Sequence, residues 1–150
     1  MRFLSFGKCY YFELAQFYII NLKQEKMTTV LITGANRSIG LETVKQLSQK
    51  GLFVYLGSRD LTKGEEIVEE LNEQGFNNIK AIDIDVTNPE SIAAAKNVVE
   101  KEKGKLDILI NNAGILGPQP QTATETSVEN IKEVFETNFF GVINVTQPFF

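Results

Sequence analysis

The sequence predicts an α/β fold built on a parallel sheet with helices on both faces. From Met27 onward, short apolar runs alternate with longer stretches of helical periodicity, as in strands joined by right-handed crossovers. The runs are apolar throughout, as expected of strands covered on both sides. Glycines punctuate the ends of the helical stretches, where a left-handed residue closes a helix most easily.

The elements follow in order. Val30–Thr33 is a buried strand ending at a glycine. Ile39 to Lys50 is a helix with Ile39, Thr43, Val44 and Leu47 at core spacing, stopped by Gly51. Phe53–Leu56 is the second strand. Thr62 to Gln74 is the second helix, with Ile67, Val68 and Leu71 inward and Gly75 at its end. Ile79–Ile84 is the third strand. Asn88-Pro89-Glu90 opens the third helix, because Asn caps well and Pro suits the first helical position; Gly104 closes it. Leu106–Ile110 is the fourth strand, interrupted only by Asp107. A Gly/Pro-rich loop follows, then a helix over Ser127–Phe135 and a further apolar helix opening near Thr137.

Composition narrows the function. The 150 residues suit one domain, and the net charge of -4 gives no sign of a nucleic-acid partner. The single cysteine, Cys9, forms no internal disulfide, so a reducing, cytoplasmic setting is expected. With one Cys and no His, no metal site is expected. No apolar run reaches the length of a membrane span. Residues 1–26 are rich in Phe, Tyr and Ile but broken by Lys8 and Glu13. They read as an extension outside the domain, with a membrane-surface anchor as the alternative; the domain is expected to occupy residues 27–150.

Chemistry is expected in the loops after the strands, because ligands of such sheets sit at the strands' carboxyl ends where the strand order reverses. The first loop, Thr33-Gly34-Ala35-Asn36-Arg37-Ser38-Ile39-Gly40, aims backbone N–H groups and a helix N-terminus at an anion. It is not a phosphate loop of the GK[ST] type. After the second strand comes Ser58-Arg59-Asp60. Arg59 stands nineteen positions past Gly40, where an acidic residue commonly meets a ribose 2′-OH. A guanidinium instead suits a 2′-phosphate, and Arg37 can approach the same group; Asp60 remains the alternative contact. After the third strand, Asp85 can accept from an exocyclic amine or cap a turn. After the fourth, Asn111-Asn112-Ala113-Gly114 suits either a crowded site or local backbone bonding.

Together these loops resemble the short-chain dehydrogenase/reductase family. TGANRSIG is similar to its TGxxxGxG cofactor loop, NNAG matches its motif after strand four, and Asn138-Phe139-Phe140-Gly141 matches NxxG. TGANR, GSRD and TNFFGVINVTQ look most like the carbonyl-reductase-like branch. The resemblance spans Met27–Phe150 and implies a Rossmann-type doubly wound parallel sheet, incomplete here: the first four strands plus flanking helices. It implies NADP(H) as cofactor and a small carbonyl or alcohol as substrate. Gly34 and Gly40, with the backbone of Ile39, would line the pyrophosphate; Asn36 and Ser38 of the same loop would also contact cofactor, and Arg37 and Arg59 would hold the 2′-phosphate. Asp85 and Val86 would contact adenine; Asn111, Ala113 and Gly114 would border the ribose. Asn138 would be the Asn of the family's Asn-Ser-Tyr-Lys tetrad, which helps hold a water in the proton relay.

Two departures stand out. Ser38 replaces the family's middle glycine and is expected to weaken pyrophosphate binding. The family's catalytic Ser and YxxxK pair lie beyond residue 150, so the chain reads as a fragment, inactive alone. Its alternatives are a non-catalytic NADP-binding module or an inactive truncated product. Val142, Ile143, Val145, Phe149 and Phe150 are expected to be partly uncovered and strand four to become an edge. The family commonly forms homo-oligomers, and part of that interface is absent here.

Overall fold

A computed structural model of the chain describes residues 27–119, 122 and 124–150; the 1–26 extension lies outside the described residues. Four strands, β1 (Thr29–Ile32), β2 (Phe53–Ser58), β3 (Ile79–Asp83) and β4 (Ile108–Ile110), form one parallel sheet in the order β3-β2-β1-β4. The helices are α1 (Ser38–Gln49), α2 (Leu61–Glu73), α3 (Pro89–Lys103), α4 (Val128–Phe135) and α5 (Gly141–Phe149). The strand order reverses between β1 and β4, which fixes where a ligand crevice opens.

Alternate strand residues feed two cores. Val30, Ile32, Val54, Leu56 and Ile79 pack with Val44 of α1 and Leu71 of α2. Leu31, Tyr55 and Ile82 pack on the other face with Ile92, Ala95 and Val99 of α3 and Val145 of α5. Burial of all of β1 and of β2 from Val54 onward explains the continuous apolar runs.

The termini of the elements follow local chemistry. Asn88 Oδ1 accepts from the N–H groups of Glu90 (2.9 Å) and Ser91 (3.3 Å), with Pro89 as the first helical residue. Ser127 caps α4 by accepting from Asn130 N–H at 3.1 Å, so that helix begins one residue later than expected. Strand β2 runs on to Ser58, because β3 pairs with it as far as Ser58↔Asp83. Strand β4 begins only at Ile108: Asp107 is occupied instead with Thr29, donating its N–H to Thr29 O and accepting Thr29 N–H at Oδ2.

Three expectations need correction. Ile39 is 78% exposed and Thr43 only half-buried, so the inner face of α1 is Gly40, Val44 and Ser48. The close seat of Gly40 on Ala35 sets that face, since a Cβ there would stand 2.8 Å from Ala35 Cα. Val145 is fully buried, whereas Val142, Ile143 and Phe150 are exposed as expected. Ser127–Phe135 and the helix expected near Thr137 are also not separate. A π-helical turn over Glu136–Phe140 joins α4 to α5 with helical backbone at Phe135, Glu136, Phe140 and Gly141. No Gly or Pro interrupts residues 128–140, so nothing breaks the run, and the wide turn takes up one extra residue.

Asn78 ties the start of β3 to the α1–β2 corner. Its Nδ2 donates to Ser48 O at 3.0 Å and to Leu52 O at 2.5 Å, and its Oδ1 accepts from Ser48 Oγ. Asn78→Ala orphans these half-buried groups and is expected to cost about 1–3 kcal/mol, read as a lower urea midpoint at unchanged slope.

Candidate functional site

A crevice of ≈ 750 Å³ opens at the carboxyl ends of the strands. Its size lies within the range of small-molecule sites. Its walls come from the loops after β1, β2, β3 and β4 and from the α4–α5 run.

The floor is a clamp between the first and fourth loops. Thr33 Oγ1 accepts from the N–H groups of Asn112 (3.0 Å) and Ala113 (3.1 Å). Asn112 Nδ2 donates back to Thr33 O and Gly34 O, both at 2.9 Å. Gly34 adopts φ +61, and a Cβ there would stand 2.7 Å from Ala113 Cα. A Cβ on Gly40 would meet Asn112 Nδ2 at 2.5 Å. Both glycines are therefore demanded by backbone proximity, and the loop they shape opens directly onto the N-terminus of α1. Ala35 N–H also donates to Gly57 O at 2.8 Å, fastening the loop to β2.

Ser38 has φ 49 and is the only non-glycine in the left-handed region among the described residues. The middle position of the loop thus keeps a conformation suited to glycine while carrying a side chain. Asn36, Arg37, Ser38 and Ile39 all line the crevice beside Gly34 and Gly40.

The second loop settles what Asp60 does. Its Oδ1 accepts from Lys63 N–H at 3.0 Å and caps α2. Arg59 lies beside it on the crevice wall. Among the described residues the ion pairs are Lys80–Glu102, Lys96–Glu100 and Lys105–Asp107, so neither Arg37 nor Arg59 is neutralised by one. In the third loop, Asp85 Oδ1 accepts from Thr87 N–H (2.9 Å) and Thr87 Oγ1 (2.8 Å), while Asp85 N–H donates to Ser91 Oγ. Val86 lines the crevice with its side chain in the core.

Two expected residues are placed differently. Asn111 does not line the crevice: its Nδ2 donates to Thr146 Oγ1 of α5 at 3.1 Å, and Asn112 takes the inward position. Asn138 bonds the backbone of Ile115 with both ends of its amide, accepting at 2.9 Å and donating at 2.8 Å. It fixes the segment after Gly114, while Glu133, Glu136 and Thr137 of the same run reach the crevice wall. Lys63 lines the crevice without having been singled out by any sequence motif, whereas Asn112 and Gly57 entered only as members of NNAG and GSRD with no role of their own. A lone glycine inside a strand was the available signal for Gly57.

Tyr55, the one tyrosine among the described residues, lies outside this site. It is fully buried in the core, and its hydroxyl donates to Glu102 at 2.9 Å. Burial, and then the Glu102 carboxylate, push its pKa upward. Glu102 in turn is held below its ordinary range, chiefly by its bond to Lys80.

Comparison with known proteins points the same way. The short chain dehydrogenase family model matches residues 28–150. Salutaridine reductase of Papaver bracteatum is 32% identical over 151 residues, covering 81% of this chain and 49% of its own length. The short-chain dehydrogenase anuI of Penicillium roqueforti is 42% identical over 121 residues, covering 80% and 47%. The chain thus spans about half the length of these relatives. Among solved structures, ElxO with NADP bound superposes with a TM-score of 0.74 at 30% identity, covering 81% of this chain and 48% of that one. A 3-ketoacyl-(acyl-carrier-protein) reductase from Brucella melitensis, complexed with NADH, superposes with a TM-score of 0.72 at 30% identity and the same coverage.

The left-handed strain at Ser38 is worth about 1–2 kcal/mol, against about 0.5–1 kcal/mol of added unfolded-chain freedom for glycine. Ser38→Gly is therefore expected to raise stability slightly, by about 0.5–1 kcal/mol. A drop in chemical-denaturation stability contradicts the strain assignment.

Proposed function

Because the chain belongs to the short-chain dehydrogenase family, we propose that it forms the dinucleotide-binding part of an NADP(H)-dependent oxidoreductase acting on a small carbonyl or alcohol. One observation carries the cofactor choice: Arg37 and Arg59 face the crevice without ion-pair partners among the described residues, while Asp60 is committed to capping α2. The bond at Oδ1 holds the Asp60 carboxylate toward α2 and leaves its other oxygen as the one that a ribose 2′-OH can use. Guanidinium groups pair with phosphate through several charged hydrogen bonds. ElxO with NADP bound supports the reading; the Brucella reductase with NADH shows that the fold accommodates either dinucleotide.

The fit extends along the crevice. The backbone of Gly34, Asn36, Ser38, Ile39 and Gly40 cradles the pyrophosphate, with the α1 N-terminus adding its dipole. Gly34 and Gly40 leave no room for a Cβ, consistent with a loop held at a fixed depth. Asp85 and the Val86 backbone serve the adenine. Ala113 and Gly114 border the ribose, whereas Asn111 stands outside the crevice with its amide bonded to Thr146. When bound, the nicotinamide supplies the hydride chemistry. Asn138 serves the proton relay by fixing the Ile115 backbone beside the π turn. The carbonyl-reductase-like assignment and a cytoplasmic setting follow from TGANR, GSRD and the sparse cysteine content.

A second reading concerns this chain by itself. Tyr55 is sequestered in the core and bonded to Glu102, so it offers no general acid to the crevice. Among the described residues no tyrosine reaches the crevice, and these residues are proposed to bind dinucleotide without turning over substrate.

Calorimetric titration is expected to show tighter binding of NADPH than of NADH. Arg59→Ala is expected to lower NADPH affinity about tenfold and leave NADH affinity unchanged. No carbonyl-dependent NADPH oxidation is expected from the 150-residue chain. Equal affinities for the two dinucleotides, or turnover, count against these assignments.

A further inference from the structure

We propose that Gly141 is a positioning residue of the dinucleotide site and sets the crevice width at its Asp85–Val86 end; this rests on the dinucleotide reading above. Gly141 is the first residue of α5 and is buried. Its backbone is ordinary right-handed helix, φ -56 and ψ -37, which any residue adopts. A glycine in such a place costs helix stability relative to alanine, so the backbone gives no reason for it. The reason is contact. A Cβ at Gly141 would stand 2.7 Å from Val86 Cγ2 and 3.1 Å from Val86 Cβ. The start of α5 is thereby seated directly on Val86, which lines the crevice with Asp85 and Thr87.

Neither partner in this contact yields easily. Val86 is β-branched and restricted at χ1, 7% exposed, and packed in one core with Ile84, Ile92 and Val145. Val145, one helical turn beyond Gly141, is fully buried in that core, so α5 cannot lift off Val86 without opening it. Gly141 also closes the π turn, its N–H donating to Glu136 O. Glu136 and Thr137 of that turn line the crevice from the α4–α5 run. One close contact thus holds the third loop and the α4–α5 wall at a set separation. An added methyl drives Val86 toward the crevice or the wall off the third loop. Either shift misplaces the surfaces that receive the adenosine. Arg37 and Arg59 belong to the first and second loops, apart from this contact.

The test is calorimetric titration of the 150-residue chain with NADPH, NADH and adenosine 2′,5′-bisphosphate. The proteins compared are the unaltered chain, Gly141→Ala, Val86→Ala and the double variant, each also unfolded in urea. Gly141→Ala is expected to weaken all three ligands about tenfold and to leave the NADPH-to-NADH ratio unchanged, because the adenosine is common to them. Val86→Ala removes the methyl that the new Cβ meets first. The double variant is therefore expected to bind each ligand within about twofold of Val86→Ala alone. Where Gly141→Ala by itself does not fold, this last comparison decides. A lower urea midpoint in Gly141→Ala with ligand affinities unchanged overturns the assignment and leaves Gly141 a packing residue. A loss that persists in the double variant overturns it as well. Absence of binding of all three ligands to the unaltered chain overturns the dinucleotide reading and Gly141 with it, whereas the first two failures leave that reading standing.

Discussion

The approach of the first loop to the fourth, backbone against backbone, is the constraint on which the crevice depends. Gly34 rests on Ala113 with no room for a side-chain carbon between them. Thr33 Oγ1 and Asn112 Nδ2 together make four hydrogen bonds across the same seam. Buried or half-buried polar groups that satisfy one another in this way hold one geometry and resist others. Because the seam lies at the reversal of strand order, fixing it fixes the mouth of the crevice and the position of the α1 N-terminus. Gly57 extends the seam to β2, where a Cβ would press on Ile32 O at 2.6 Å.

Electrostatics act on this frame without setting its shape. The frame is made of neutral bonds, whereas the cations Arg37, Arg59 and Lys63 stand at its rim, exposed. Selectivity for a charged ligand is thereby separated from the architecture that holds it. Asp60 shows the separation most clearly: its charge faces the rim, but its bond belongs to the helix. Ser38 is the exception, a strained backbone position inside the first loop itself.

Much of the fold was legible because its signals are local. Continuous apolar runs gave the strands, and Asn88-Pro89 announced α3 through capping chemistry that needs only neighbouring residues. Gly51 and Gly75 have the positive φ that their positions after α1 and α2 suggested. The errors arise where distant residues decide. Leu106 and Asp107 look like strand, but Thr29 claims Asp107. Ile39 has core spacing, yet Gly40's contact with Ala35 rotates it outward. The π turn leaves no periodic trace over five residues.

The site shows the same division. The glycines and arginines of the first two loops reach the crevice as their spacing implied. Two consecutive asparagines cannot be told apart in sequence, and only the sheet shows that Asn112 turns inward while Asn111 turns to Thr146. The same limit applied to Asp60 until its bond to Lys63 N–H was seen. The most direct test of the account is amide chemical-shift mapping of the chain titrated with NADPH. The account predicts the largest shifts in Gly34–Gly40, Arg59 and Asp85–Val86, with little change near Leu116 and Ile131. Shifts concentrated at Leu116 and Ile131, with the first loop unmoved, would contradict it.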